Sequence, residues 1–507
     1  MKEYKEIRSI LLTFNEQERR ALVNKLRFNN ETSVNGLSQR LIQGLFEESI
    51  SEKELHKRVY SNYNPSAFRK LISRNLESSM DVLLTYDSIN SIEKYDERAK
   101  DIFILERKIL LAEILRYRGA FELSSRLLES VIKNAKEYEH YSVLVNAIEK
   151  KLKFNSADLD SKEYVELERE LSKYLKVRIR LNYVIRIYTK FVLRLPKLNR
   201  DQSNVLTLNL LNRVRELANQ TNSKTILLYY NYIYLQYLAV NKDFAEGYQH
   251  ALEILSLTKD SNCLRSNQRL VFIYFNLALF SRYNLNFDLA LSYLNEANKY
   301  SFGKVYNSSL YFEGSFLCYL NLGDFKKAKY YLKLLFTSEH LAVETNLVDY
   351  YQSICCYLDG DVKQAIKWNK SINRGAKTNV ELNLNSRILL ILELFECDEY
   401  DLIVREIDNL RKQFENLRLK GGDINLRLQH IIKLLQCLER SDFNFKTVMT
   451  QKKHYIDSLC SLEYSWKPNS LELIIFEEWF ESKLKGVPYH HKTAVDNVRR
   501  RLKAVVV

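Results

Sequence analysis

The chain has 507 residues and carries 77 Lys and Arg against 63 Asp and Glu, which gives a formal net charge of +14. Glycine and proline, the residues that break helices, number only 12 and 4. This composition predicts an all-α protein with helix almost from end to end. It also excludes the glycine-rich loops that cradle phosphates. The positive charge favours acidic partners or nucleic acid, but it is spread over a large surface and decides neither.

The first 100 residues are predicted to form a helical N-terminal domain. Helices are expected near residues 3–12, 16–28, 37–48, 52–60 and 67–86. The sequence from Ser51 to Glu54 matches a capping box, in which the serine oxygen and the glutamate each satisfy an early helix amide. Ser66 is expected to cap the helix that follows the turn at 61–65.

The two helices around that turn are open to a second interpretation as a DNA-binding helix-turn-helix. The exposed face of the second helix is predicted to carry Lys70 and Arg74, but also Glu77 and Asp81. Those carboxylates would repel phosphates within one or two helical turns. The charge pattern therefore favours an ordinary solvated helix over a recognition helix.

A helix-turn-helix pattern recurs along most of the chain and is clearest at Asn321-Leu322-Gly323-Asp324-Phe325-Lys326-Lys327-Ala328. A tight turn is followed by an anchor residue, usually aromatic, and by a small residue three positions later. The anchors from residue 244 onward stand at positions 244, 287, 325, 362, 400 and 443, about 40 residues apart. A weaker copy lies at Phe121 with Ser124. Such a period predicts stacked helical hairpins.

The turn and its small residue resemble those of the tetratricopeptide repeat family. The resemblance implies a right-handed superhelix of stacked helical hairpins, whose first helices line a concave groove that binds peptides or protein segments. The period here is longer than the roughly 34 residues of that family. We assign the repeats to residues 101–465, and the capping helices with a basic tail to residues 466–507, including one helix at 471–484 and another at 493–503. The layout also resembles a group of bacterial cytoplasmic proteins.

The repeat register predicts a set of partner-binding positions on the first helices, which we call the groove residues: Tyr229, Tyr232, Gln236, Phe272, Phe275, Arg282 and Glu313. Aromatic side chains with one arginine would suit an extended or helical peptide. The same side chains would serve equally well as core between repeats. A protein or peptide partner is the favoured interpretation.

The strongest charge feature lies between residues 171 and 200, where nine basic residues occur without an acidic one. Its basic ridge consists of Lys176, Arg180, Arg186, Lys190, Arg194 and Lys197, and Pro196 is expected to end the helix. An acid-free row of this kind could hold the phosphates of nucleic acid. A solvated surface of an alkaline protein is the favoured interpretation, because unpaired lysines are common on helix surfaces.

No catalytic motif, metal site or cofactor site is predicted. Neither His490-His491 nor Asp359-Gly360-Asp361 has further ligands at metal-binding spacing. We interpret the two histidines as a solvated turn and the two aspartates as turn and cap residues. Seven cysteines without a CxxC pair indicate buried thiols in a reducing cytoplasm. The uncharged stretch 225–241 is interpreted as the first helix of a hairpin, not a membrane span.

Overall fold

The computed structural model of the chain describes residues 2–28, 35–47, 50–60, 62, 64–85, 97–154, 161–195, 200–301, 305–337, 345–374, 379–419, 426–461, 463–468 and 470–505. Within these residues the secondary structure consists of helices, turns and irregular segments, with no strand. The chain forms two compact units, Met1–Leu181 and Asn182–Val507. The all-α prediction is therefore confirmed.

The first unit contains a five-helix group followed by a helical hairpin and two further helices. The five are α1 (Lys2–Thr13), α2 (Glu16–Phe28), α3 (Asn35–Leu45), α4 (Glu52–Val59) and α5 (Pro65–Leu83), and they share one core. Next come α6 (Glu97–Tyr117), α7 (Phe121–Glu137), α8 (Tyr141–Phe154) and the beginning of α9 (Lys162–Arg194). The unit boundary falls within α9.

The sequence predicts two helix caps in the first unit, at Ser51 and Ser66. The capping box is confirmed, because Ser51 Oγ accepts the Glu54 amide at 3.3 Å and the Glu54 carboxylate accepts the Ser51 amide at 2.9 Å. The cap predicted at Ser66 is wrong. Asn64 caps α5 instead, its Oδ1 accepting the Ala67 amide at 3.1 Å. Proline at the first helical position has no amide hydrogen to satisfy, so the cap lies directly before Pro65.

The second unit contains consecutive helical hairpins and a C-terminal region. After the end of α9 its helices are α10 (Arg200–Thr221), α11 (Lys224–Asn241), α12 (Phe244–Asp260), α13 (Asn267–Tyr283), α14 (Phe287–Tyr300), α15 (Val305–Leu322), α16 (Phe325–Thr337), α17 (Thr345–Leu358), α18 (Val362–Ser371), α19 (Val380–Phe395), α20 (Tyr400–Leu419), α21 (Leu426–Arg440), α22 (Phe445–Cys460), α23 (Phe476–Lys485) and α24 (His491–Val505). Each helix from α10 to α22 packs on the next helix along the chain.

The predicted repeat register is confirmed at the second helices of the hairpins. Helices α12, α14, α16, α18 and α20 each begin at the residue identified as an anchor. The small residues three positions later, Gly247, Ala290, Ala328 and Ala365, are all buried. At the last anchor the structure differs: Asp442 and Phe443 both adopt positive φ, and α22 begins two residues later.

The C-terminal helix predicted at 471–484 is wrong in its first part, because α23 begins only at Phe476. Side chains take up the backbone groups that a helix there would need. Tyr350 donates to the carbonyl of Leu471 at 2.5 Å, and the indole of Trp466 donates to the carbonyl of Glu472 at 2.6 Å. Residues 470–475 therefore run across the hairpins without helical hydrogen bonds. We call them the C-terminal segment.

The interpretation of His490-His491 as a solvated turn is wrong for His491, which is 2% exposed. Its Nδ1 lies 3.0 Å from the Tyr489 hydroxyl and its Nε2 lies 3.2 Å from Asn321 Oδ1 on α15. Burial lowers the pKa of His491 to about 4, so the ring is neutral at physiological pH. The C-terminal region thus packs along the hairpins, with α24 against α15.

Candidate functional site

A cavity of about 920 Å³ lies in the second unit, on the first helices of consecutive hairpins. Helices α11, α13, α15, α17 and α19 all contribute to its wall. The C-terminal segment closes one side through Ser470, Leu471 and Leu473. The volume falls within the range of sites that take small molecules or short stretches of peptide. The cavity therefore lies where the repeat register placed the binding face.

The structure brings five of the seven groove residues together around this cavity. Gln236, Phe272, Phe275, Arg282 and Glu313 all line it, and all five are partly exposed. They come from α11, α13 and α15, so three successive first helices present them to the same space. Their assembly follows from the repeat, because the same face of each first helix in stacked hairpins points to the same side.

The other two groove residues, Tyr229 and Tyr232, lie away from the cavity wall. The Tyr232 side chain is 6% exposed, and its ring centroid lies 4.4 Å from that of Phe272 and 6.1 Å from that of Tyr188 on α9. Burial raises the pKa of the Tyr232 phenol. Both tyrosines therefore belong to the aromatic core beneath the cavity, with Phe272 between core and surface.

The polar part of the cavity is organised around Glu313. The buried Tyr351 hydroxyl donates to Glu313 Oε1 at 2.8 Å, which links α17 to α15. Burial and the Glu313 charge raise the pKa of Tyr351, while the positive charge of Arg282 opposes that shift. Within the described residues the second oxygen of Glu313 has no hydrogen-bond or ion-pair partner. Glu313 thus presents a fixed acceptor to the cavity.

The residues that hold the C-terminal segment against the hairpins were not predicted from the sequence. Tyr350 on α17 is 1% exposed, and its hydroxyl donates to the Leu471 carbonyl. A hydrogen bond from the backbone of Leu473 to the same phenol oxygen opposes the rise that burial causes in the pKa of Tyr350. From α21, Arg427 binds the Glu472 carboxylate. Nothing local marks these residues, because their partners lie far away along the chain.

Tyr350, Glu313 and Phe275 occupy the same position in three successive hairpins, each 12 residues before its anchor. On α17 this position binds the backbone of the non-helical C-terminal segment. On α15 and α13 the same position faces the cavity. The cavity therefore presents, on α13 and α15, positions equivalent to the one that binds the C-terminal segment on α17.

The basic ridge lies on α9, which ends at Arg194 as expected before Pro196. Lys176 and Arg180 belong to the first unit. Arg186, Lys190 and Arg194 belong to the second and are exposed, and none forms an ion pair within the described residues. Lys197 lies outside the described residues.

The described residues contain few features that would indicate a metal site, a reactive thiol or a membrane span. No group of three His, Cys, Asp or Glu side chains there is placed to hold a metal ion. The seven cysteines are free thiols, and burial raises the pKa of Cys318 to about 12, which makes that thiol a poor nucleophile. Among the helices described, none combines the length and the apolar character needed to cross a bilayer.

The buried carboxyl group of Glu393 on α19 forms hydrogen bonds with side chains of α17 and α18. The Glu393 side chain is fully buried and contacts the Ser353 hydroxyl, while Asn369 Nδ2 donates to Glu393 Oε2 at 3.1 Å. Burial raises the pKa of Glu393 to about 8 against the lowering effects of these groups and of Arg374. Ser353 also lies 3.1 Å from the Ala365 carbonyl. One hydroxyl hydrogen cannot satisfy both oxygens, so a protonated Glu393 completes the network.

Comparison with known proteins adds little to this description. No family model matches the chain, and no curated protein matches it. Among solved structures, the crystal structure of a signal transduction ATPase with numerous domains (STAND) protein with a tetratricopeptide repeat sensor, from Pyrococcus horikoshii, aligns at 14% identity. The alignment covers 87% of this chain and 55% of that one, with a TM-score of 0.27. The chain thus spans about half the length of that protein, and at this score the fold assignment stands on the helices described above.

Proposed function

We propose that the protein is a non-enzymatic binding protein whose hairpins hold an extended segment of a partner protein in the cavity on their first helices. The observation that carries this proposal is the Tyr350 contact with the backbone of the C-terminal segment. That contact is an example, within one chain, of a non-helical segment bound through its backbone by a first-helix side chain. The cavity presents Glu313 and Phe275 at the equivalent positions.

The lining of the cavity supports a peptide ligand more than a reaction. Its wall combines leucines and two phenylalanine rings with amide and carboxylate groups. Apolar pockets with a few polar groups favour side chains that alternate along an extended chain. The described part of the wall contains no histidine, cysteine or lysine. Binding is therefore the activity we assign to this surface.

Selection from a phage-displayed library of random 12-residue peptides tests the proposal. We expect enrichment on the intact protein and at least tenfold weaker binding of the selected peptides by Phe275→Ala. Gln268→Trp, which places a bulky ring at the exposed rim of the cavity, should also weaken binding without disturbing the core. Phe336→Ala removes a half-exposed ring elsewhere on α16 and serves as the matched control.

Melting temperatures of the variants separate loss of binding from loss of folding. The proposal fails if no peptide is enriched, or if the folded Gln268→Trp variant binds the selected peptides as tightly as the parent protein. It gains support if both cavity variants lose binding while Phe336→Ala stays within twofold of the parent.

Nucleic acid binding by the basic ridge is the second candidate, and it is favoured by the exposed, acid-free row of Arg186, Lys190 and Arg194. Reversal of these three residues to glutamate should then abolish retention of duplex or single-stranded DNA. The affinity of the parent should also fall steeply between about 50 and 200 mM salt, as counterion release requires. If the parent protein fails to retain DNA even at 50 mM salt, the ridge is a solvated surface.

A further inference from the structure

The charges around the cavity differ from those of the chain as a whole. The protein has a net charge of +14, yet the described cavity wall contains two carboxylates, Glu313 and Glu381, and one guanidinium, Arg282. A local excess of negative charge on a basic protein selects cationic groups by charge complementarity.

Glu313 is better placed than Glu381 to bind a cationic group of a ligand. It is half-buried, and the Tyr351 hydroxyl holds Oε1 at 2.8 Å. An ionised carboxylate accepts hydrogen bonds and cannot donate them. A ligand group beside it must therefore bring its own N–H or O–H hydrogens. Glu381 is exposed at the rim, where water screens its charge.

The surroundings of Glu313 specify what lies next to that donor. Phe275, Leu310 and Leu347 line the same cavity. In the C-terminal segment, Leu471 and Leu473 line the cavity while the intervening Glu472 points to Arg427. An extended ligand on the same path would alternate in the same way. Its inward side chains meet the apolar wall on either side of Glu313.

The geometry points to a partner segment that is extended and carries a lysine or arginine flanked by apolar side chains, with the cation bound by Glu313. This inference rests on the proposed function and specifies its ligand. Arg282 lines the same wall and already interacts with other groups of the chain. A long lysine or arginine stem would cover the leucines while its charged end reaches the carboxylate.

The test selects the displayed library in parallel on the parent protein and on Glu313→Gln. Selected peptides are then synthesised with fluorescein, and the enriched basic residue is replaced by norleucine or by glutamate for fluorescence polarisation. We expect lysine or arginine beside apolar residues in the parent selection, and at least tenfold weaker binding of the norleucine and glutamate peptides. On Glu313→Gln the preference for lysine over norleucine should fall below twofold.

Glu415→Gln makes the same change at an exposed carboxylate of α20 outside the cavity, and it should leave the preference unchanged. Enrichment of peptides without a basic residue, or a lysine preference that survives in Glu313→Gln, overturns the inference and leaves the proposed function standing. Failure to enrich any peptide on the parent refutes the proposed function itself. The two failures are therefore distinguishable in one experiment.

Discussion

The Arg427 guanidinium donates two hydrogen bonds of 2.6 Å to the carboxylate of Glu472, 45 residues further along the chain. A third contact of 2.5 Å reaches Glu477, and all three side chains are buried. Two parallel N–H donors match the two carboxylate oxygens, which fixes orientation as well as charge. This cluster fastens the C-terminal segment to α21.

Arg427→Met should therefore destabilise the C-terminal region strongly. The substitution leaves the buried Glu472 carboxylate without its cation and Glu477 with Arg501 alone, and removing one partner of a buried ion pair typically costs about 3 to 5 kcal/mol. We expect a lower melting temperature and faster amide exchange in residues 470–485. The control is Lys485→Met, which breaks a solvent-exposed pair with Glu481 and should change stability little. Equal effects of the two substitutions would show that the buried cluster does not hold the segment.

The tight contact within a hairpin gives a second prediction. Ala328 is fully buried where α16 meets its neighbours, whereas Lys327 beside it is exposed. Ala328→Trp should overpack this contact and cost about 1 to 3 kcal/mol or more, while Lys327→Trp should change stability little. Thermal unfolding of both variants measures the difference. A matching loss of stability in the two variants would contradict the register of the repeat.

Gly247 provides a third prediction, in which helix propensity and packing oppose each other. Alanine is favoured over glycine inside a helix by about 1 kcal/mol. A Cβ atom at Gly247 of α12, however, would lie 2.5 Å from the ring of the fully buried Phe280. Gly247→Ala should thus lower the melting temperature, because the ring cannot move without disturbing the core. At Gly36 of α3 nothing lies within 4 Å of such a Cβ, so Gly36→Ala should be neutral or stabilising.

The parts of the fold that the sequence predicts are those determined by nearby residues. The start of α16 at Phe325 and the burial of Ala328 follow from one turn and one helical period. Hairpins repeat the same local solution, so the register of one hairpin predicts the position of the next. The last anchor fails because Phe443 adopts positive φ, a property of one turn that no periodicity reports.

The path of the C-terminal region could not be predicted, because the contacts that determine it join distant parts of the chain. His491 and Asn321 are 170 residues apart, and Tyr350 and Leu471 are 121 apart. The same limit applies to the groove residues. The register places five of the seven around the cavity, while Tyr229 and Tyr232 pack beneath it against Tyr188 of α9, whose position the repeat does not specify.

The buried Glu393 predicts a pH dependence of stability. Its pKa is about 8 in the folded protein against 4.5 as the ordinary value, so between these two pH values the folded chain holds a proton that the unfolded chain releases. Raising the pH therefore favours unfolding across this window, by roughly 1.4 kcal/mol per pH unit at most. The stabilising contribution is complete below pH 4.5 and is lost as the pH rises through about 8.

Glu393→Gln removes the titrating proton and keeps the shape and hydrogen-bonding capacity of the side chain. Melting temperatures measured from pH 5 to pH 9 should fall more steeply for the parent than for this variant, so that the variant gains relative stability toward alkaline pH. Glu415→Gln, at an exposed carboxylate, should follow the parent throughout. Parallel curves for the parent and Glu393→Gln would mean that Glu393 is ionised in the folded protein, with its charge balanced by Arg374 and the amide of Asn369.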